Sequence, residues 1–215
     1  MIVASDLEGT LTNGETWRGI RAYLEAHGRK RDYDAFMRRH LLDYLGAKIG
    51  VIPKRHFQNR WISDLPQLFK GVTLEQFREV AAWVAEHELL PNVRRAPLAE
   101  LEAAKQRGAR VILVSGTYQP VLEMFAQRFG FEAIGTPLEL LDNRLTGQLA
   151  GPINTGAIKC SSLQAQIGAV RLHRAYGDTL SDVPMLEGAT QAIVVTGNDP
   201  ALERLAKQRG WRTLE

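Results

Sequence analysis

Short apolar, β-rich runs alternate with helix-forming stretches along most of this chain. That alternation restricts the fold more than any other feature. The runs are Ile2-Val3-Ala4-Ser5, Arg110-Val111-Ile112-Leu113-Val114, Phe131-Glu132-Ala133-Ile134, Leu172-His173-Arg174-Ala175-Tyr176 and Ala192-Ile193-Val194-Val195-Thr196. Between them the spacing of apolar residues predicts helices at about 96–107, 119–129, 156–168, 182–188 and 200–209. Asp199-Pro200 is a helix start, with an acid at the N-cap and Pro at the first helical position, and Gly210 stands where a C-terminal cap belongs. Strands alternating with helices predict an α/β fold: a Rossmann-like parallel sheet with right-handed crossovers.

One segment breaks the rhythm. Residues 14–90 contain no convincing strand and read as four amphipathic helices, at about 15–28, 32–46, 53–63 and 73–88. Breaks fall at Gly50-Val51-Ile52-Pro53 and Lys70-Gly71-Val72-Thr73, and Thr73-Leu74-Glu75-Gln76 has the pattern of a capping box. This stretch is expected to be an all-helical domain inserted into an α/β core made of residues 1–13 and 91–215. A hairpin is expected where Asp142-Asn143-Arg144 separates two apolar runs.

Composition excludes several classes of protein. The 215 residues, 45% hydrophobic and 24% charged, are ordinary globular usage. A chain of this length buries enough surface to need no disulfide or structural metal. The single cysteine, Cys160, rules out a disulfide framework and fits a reducing, cytoplasmic compartment. The first residues meet an acid at Asp6 without a basic stretch, so they do not read as a signal peptide. No apolar run reaches the length of about 18 residues that a membrane span requires, so no membrane partner is expected. A net charge of +3 is too small to argue for nucleic acid, and suits an anionic small molecule.

The chemistry collects at predicted strand ends. Asp6-Leu7-Glu8-Gly9-Thr10 places two acids just after the first strand, where open α/β sheets bind ligands. Alone, Asp6 reads first as a residue capping a turn. The fourth strand, however, leads into Tyr176-Gly177-Asp178-Thr179-Leu180-Ser181-Asp182. Carboxylates gathered at one sheet edge repel one another unless a cation lies among them, and oxygen-only donors point to a hard ion, Mg²⁺ first. Ser115-Gly116-Thr117 follows the second strand and supplies a hydroxyl and amides for an anion. Lys159 reads as solvated surface or, at the same edge, as the neutralising cation. Cys160 reads as a small buried residue.

Taken as an ordered set, these motifs resemble the haloacid dehalogenase superfamily of phosphohydrolases, and within it the phosphoserine-phosphatase-type branch, whose helical cap is inserted after the first motif. Leu145-Thr146-Gly147 and Asp182-Val183-Pro184-Met185-Leu186 extend the resemblance over essentially the whole chain. It implies an Mg²⁺-dependent phosphatase acting on a small phosphorylated metabolite, as a monomer or homodimer, with Asp6 as the nucleophile. By the same resemblance, the Asp6 carboxylate, the Glu8 carbonyl and Asp178 would hold the ion, with Asp182 reaching it through water. Ser115, Gly116 and Thr117 would bind phosphoryl oxygens, and Lys159 would neutralise them. The acid–base role would fall to Glu8, where the family usually has Asp. The added methylene leaves transfer to an alcohol as an alternative to hydrolysis. Asn13-Gly14-Glu15-Thr16 resembles the segment in which phosphoserine phosphatases meet the substrate ammonium, which assigns Glu15 that contact; Arg60 falls where a carboxylate-binding Arg would stand. A non-catalytic module that merely accepts phosphate on Asp6 is the reading from a different class.

Overall fold

The computed structural model describes residues 1–51 and 53–215. Strands β1 (Ile2–Ser5), β2 (Arg110–Tyr118), β3 (Glu132–Thr136), β6 (Leu172–Gly177), β7 (Ala189–Val195) and β8 (Arg212–Leu214) form one sheet in the order β3-β2-β1-β6-β7-β8, every pairing parallel. Strands β4 (Leu138–Leu141) and β5 (Arg144–Leu149) form the expected antiparallel hairpin. Its turn places Asp142 and Asn143 at φ 49° and 60°, the left-handed pair that a two-residue hairpin needs and that Asp and Asn tolerate.

β1 lies between β2 and β6, the point at which the strand order reverses. Its alternating side chains serve both layers. Val3 joins a cluster with Leu98 and Leu101 of α5 (Arg95–Gln106) and with Val121 and Phe125 of α6 (Gln119–Phe129). Ile2 and Ala4 face the other way. They pack with Leu163 of α7 (Ala157–Ile167), Met185 of α8 (Val183–Glu187) and Leu202 of α9 (Pro200–Arg209). The acid-capped start and the left-handed Gly210 stop of α9 are as the sequence predicts.

Four further helices stand between β1 and α5: α1 (Thr16–Ala26), α2 (Lys30–Lys48), α3 (Lys54–Asp64) and α4 (Leu74–Val84). The predicted break at residues 50–53 falls between α2 and α3, and Ile52 within it lies outside the described residues. The capping box at Thr73 forms, its hydroxyl accepting from the Gln76 amide at 3.2 Å. Aromatic side chains fill the interior. Trp17 meets Trp61 edge-on at 6.3 Å, and Phe69 meets Phe77 at 5.1 Å. Burying each such ring is worth about 1.5–3 kcal/mol. The cluster is continuous with the sheet face that holds Val3, so the helical segment shares its core with the α/β layer.

The two connections between these helices and the sheet run side by side. The Asn13 amide donates to Asn92 O at 2.9 Å, the Arg94 amide to Leu11 O at 2.8 Å, and the Thr12 hydroxyl to Leu89 O at 2.6 Å.

Three features differ from expectation. β2 continues through Ser115-Gly116-Thr117 to Tyr118, and α6 begins only at Gln119. Ser and Gly read as a turn, but Tyr118 pairs in parallel with Thr136 and keeps the strand extended. The fourth inserted helix stops at Val84 and widens into a π-turn over Ala85–Leu89, preceding a 3-10 turn at Leu90–Asn92. β8 carries no apolar period; it pairs with β7, its Arg212 guanidinium meets Glu100, and Leu214 packs against the core.

Candidate active site

Parallel register brings the predicted acids together. Ser5 pairs with Tyr176, and the Asp6 amide continues the ladder by donating to Tyr176 O at 3.0 Å, so Asp6 and Asp178 emerge from neighbouring strand ends. Gly9 turns the chain at φ 88°, and a Cβ there would lie 2.1 Å from Asp178 Oδ2. Only glycine permits this approach. Gly177 is equally confined, since a Cβ would lie 2.4 Å from that of Asp182.

Lys159 is 2% exposed, and its ammonium donates to Asp6 Oδ1 at 2.6 Å and to Asp182 Oδ1 at 2.5 Å. Burial by itself would lower its pKa; the two carboxylates outweigh that and raise it. Asp182 Oδ2 accepts from the amides of Asp178 and Thr179 and from the Thr179 hydroxyl, at 3.3, 3.1 and 3.1 Å. Both oxygens of Asp182 are thus engaged. Asp178 accepts from the Thr10 hydroxyl at 2.9 Å and from Asn198 Nδ2 at 2.9 Å.

Glu8 is the residue whose surroundings the sequence did not disclose. Its Oε1 accepts from the Thr16 amide at 3.0 Å, the Thr16 hydroxyl at 2.5 Å and the Thr117 hydroxyl at 2.8 Å. Thr16 opens α1 and Thr117 ends the β2 region, so the longer side chain spans from the β1 loop to the inserted helices. The carboxyl is nonetheless raised above its ordinary range by burial, against the lowering effect of these donors. If Glu8 moves the proton, Glu8→Gln should slow turnover by about 10²–10⁴-fold. The loss should shrink for p-nitrophenyl phosphate, whose leaving group needs little protonation. An equal loss on both kinds of ester would remove the acid role.

Not every predicted residue arrives. Ser115 is buried, with its hydroxyl 3.4 Å from that of Thr117. Gly116 O accepts from the Thr136 hydroxyl at 2.7 Å. The Thr117 hydroxyl is committed to Glu8, and its amide donates to the Ser115 hydroxyl at a long 3.4 Å. The Glu15 carboxylate lies 3.0 Å from Arg18 Nε on the next turn. The Arg60 guanidinium pairs with Asp43 at 3.0 Å and Asp64 at 3.8 Å, and its side chain is mostly exposed. These partners lie on α2 and on α3 itself, so Arg60 braces two inserted helices and is not gathered with the acids.

Thr10, Asn198 and Arg94 escaped the sequence reading. Arg94 donates to Gly9 O at 2.7 Å and to Thr196 O at 2.9 Å, fixing the loop that carries Glu8. They act on carbonyls and on an acid's second oxygen, contacts that follow from topology and leave no local motif.

Oxygens of Asp6, Asp178 and Asp182 lie within 4.8 Å of one another. This all-oxygen set, buried and carrying more negative than positive charge, fits a hard divalent cation. Burial and then the charges of Asp6 and Asp182 push the Asp178 carboxyl from 3.8 up to about 8. Between those values the metal-free folded protein holds a proton that the unfolded chain has released, so its stability should fall as pH rises from about 4 to 8. Added Mg²⁺ needs the ionised acids and should raise the melting temperature more at pH 8 than at pH 5. A thermal-melt series checks this, and an Mg²⁺ effect independent of pH would contradict it.

Acids at adjacent parallel-strand ends, a lysine clamped between two of them and helices inserted after the first strand define a hydrolase of the α/β type. Residues 3–187 match the haloacid dehalogenase-like hydrolase family, and the chain belongs to it. The chain is 28% identical to Protein CicA of Caulobacter vibrioides over 86% of its own length and 82% of that protein's. It is 30% identical to a phosphoserine phosphatase of Albidiferax ferrireducens, over 89% and 77% of the two lengths. A solved structure of a Bordetella pertussis protein of unknown function has the same fold, with a TM-score of 0.77 at 21% identity, covering 100% of this chain and 97% of that one. Family membership makes the protein an enzyme of phosphoserine-phosphatase-like type and retires the non-catalytic module. Among the described residues no helix is long and apolar enough to cross a membrane.

Proposed function

We propose that the protein is an Mg²⁺-dependent phosphatase that hydrolyses a small phosphomonoester of the O-phosphoserine kind, with residues 14–90 acting as a cap over the site. The observation that carries this reading is the Lys159 ammonium held between Asp6 and Asp182 beside Asp178. That arrangement keeps Asp6 oriented and offsets charge where a phosphoryl group would add more. The Asp6 carboxylate attacks phosphorus, and the bond from phosphorus to the ester oxygen breaks. Glu8 gives its proton to the departing alkoxide. Glu8 then takes a proton from water, the water oxygen bonds to phosphorus, and the Asp6–phosphorus bond breaks to release phosphate. Ser115 and the amides of Gly116 and Thr117 receive the phosphoryl oxygens. Asp6, Asp178 and the Glu8 carbonyl would hold Mg²⁺, which supplies charge neutralisation of the phosphoryl group. Glu15 is the residue for a substrate ammonium, in competition with Arg18.

A screen of phosphorylated metabolites, with Mg²⁺ and with EDTA, tests the reading. Mg²⁺-dependent phosphate release is expected, with O-phosphoserine turned over faster than glycerol phosphate. Indifference to the amino group would reject the phosphoserine class, and full activity in EDTA would reject the metal.

A further inference from the structure

The outer face of α2 is apolar where a solvent-facing helix should be polar. Its inner face is Tyr33, Phe36 and His40, the last two packed against Trp61. On the opposite side Leu42, Leu45 and Ile49 recur at helical spacing on one stripe. Leu42 is 80% exposed, Ile49 74% and Val51, just past the helix, 74%; Leu41, Tyr44 and Leu45 are also exposed. These six are half of the exposed large apolar side chains among the described residues. So many in eleven consecutive positions mark a binding surface rather than ordinary scatter.

Charge says what kind of surface it meets. The acids of α2 are neutralised within the molecule: Asp32 by Arg29, Asp34 by Lys30 and Asp43 by Arg60. Arg31 and Arg38 continue the apolar stripe toward the helix start, and Arg39 and Lys48 flank it. All four are exposed, and among the described residues none of them makes an ion pair. The outward face is therefore apolar and cationic together. A second copy of the chain would set these bases against one another. A helix presenting Leu and Ile between Lys and Arg suits the boundary between anionic headgroups and acyl chains, where a few inserted side chains and several basic contacts suffice.

We propose that the outer face of α2 docks the protein reversibly on an anionic lipid bilayer. This departs from the expectation of no membrane partner, which rested on the lack of a spanning segment; surface docking requires none. It does not depend on the substrate assigned above.

The test is co-sedimentation of the full chain with phosphatidylcholine vesicles, with and without phosphatidylglycerol, at low and high salt. The wild type should sediment with the anionic vesicles at low salt and remain in solution with pure phosphatidylcholine. Each basic contact strengthens such binding about fivefold, so R38Q/R39Q/K48Q should weaken it about a hundredfold. L42Q/I49Q should weaken it at least about tenfold, since two apolar anchors are lost. Both variants change exposed positions, and their circular dichroism and melting temperature should match the wild type. A wild type that stays in solution, or an L42Q/I49Q that sediments like it, overturns the proposal. So does a wild-type dimer that L42Q/I49Q converts to monomer, which would assign the face to a second copy.

Discussion

Asp6→Asn should lower phosphate release by at least about 10⁴-fold while the protein stays folded. Losses of this order accompany removal of a nucleophile on which both half-reactions depend. An amide oxygen is a poor nucleophile toward phosphorus, so the variant has no carboxylate at this position to form the bond. Stability should move the other way. The Asp6 carboxyl is raised by burial, and by Asp182, against the lowering effect of Lys159. A neutral side chain of equal volume relieves the first two effects and leaves Lys159 its partner in Asp182. The melting temperature of the metal-free variant should therefore equal or exceed that of the wild type. Substantial turnover by a well-folded Asp6→Asn protein would remove Asp6 from the mechanism.

Lys159→Met should be the most destabilising single change in the site. It leaves Asp6 and Asp182 buried without their cation, and breaking one side of a buried ion pair costs about 3–5 kcal/mol. For a chain of this size that corresponds to a fall of about 6–20 °C in melting temperature. The deficit should narrow at low pH, where protonation removes the uncompensated charges. It should also narrow in the Lys159→Met/Asp182→Asn double variant, because one of the stranded acids is gone. A deficit unchanged by pH would mean that the lysine contributes packing rather than charge.

The sheet, its order of helices and the inserted helical segment were legible because each rests on a repeating signal. Two-residue alternation or continuous apolar runs mark β1, β2, β6 and β7, and amphipathic spacing marks the helices. β8 left no such signal, since Arg212-Thr213-Leu214 is a strand only by virtue of its neighbour. The end of β2 was misread for the converse reason: Ser115-Gly116-Thr117 has the composition of a turn, yet strand pairing overrides it. In the site, the acids and Lys159 could be found because each sits at a strand end or an early helical position fixed by topology. Arg60 could not be placed, because a helix in the insert can turn a side chain either way, and Asp43 and Asp64 claim it. The grip of Thr16 and Thr117 on Glu8 joins residues 8, 16 and 117, and only the folded arrangement of β1, α1 and β2 brings them together.

That grip also explains how a glutamate can stand where the family usually has aspartate. The extra methylene carries its carboxylate to Thr16 on the first inserted helix, so the acid is positioned by the helical segment as well as by its own loop.

The central claim is that phosphate passes through Asp6. The most direct measurement is rapid acid quenching of the enzyme during turnover, with Mg²⁺, of p-nitrophenyl phosphate, whose leaving group needs little protonation, followed by peptide mass spectrometry. The account predicts one added phosphoryl group on the peptide that carries Asp6, labile to base, increased in Glu8→Gln and missing from Asp6→Asn. Steady release of phosphate with no phosphoryl group on that peptide, in the wild type and in Glu8→Gln alike, would contradict it.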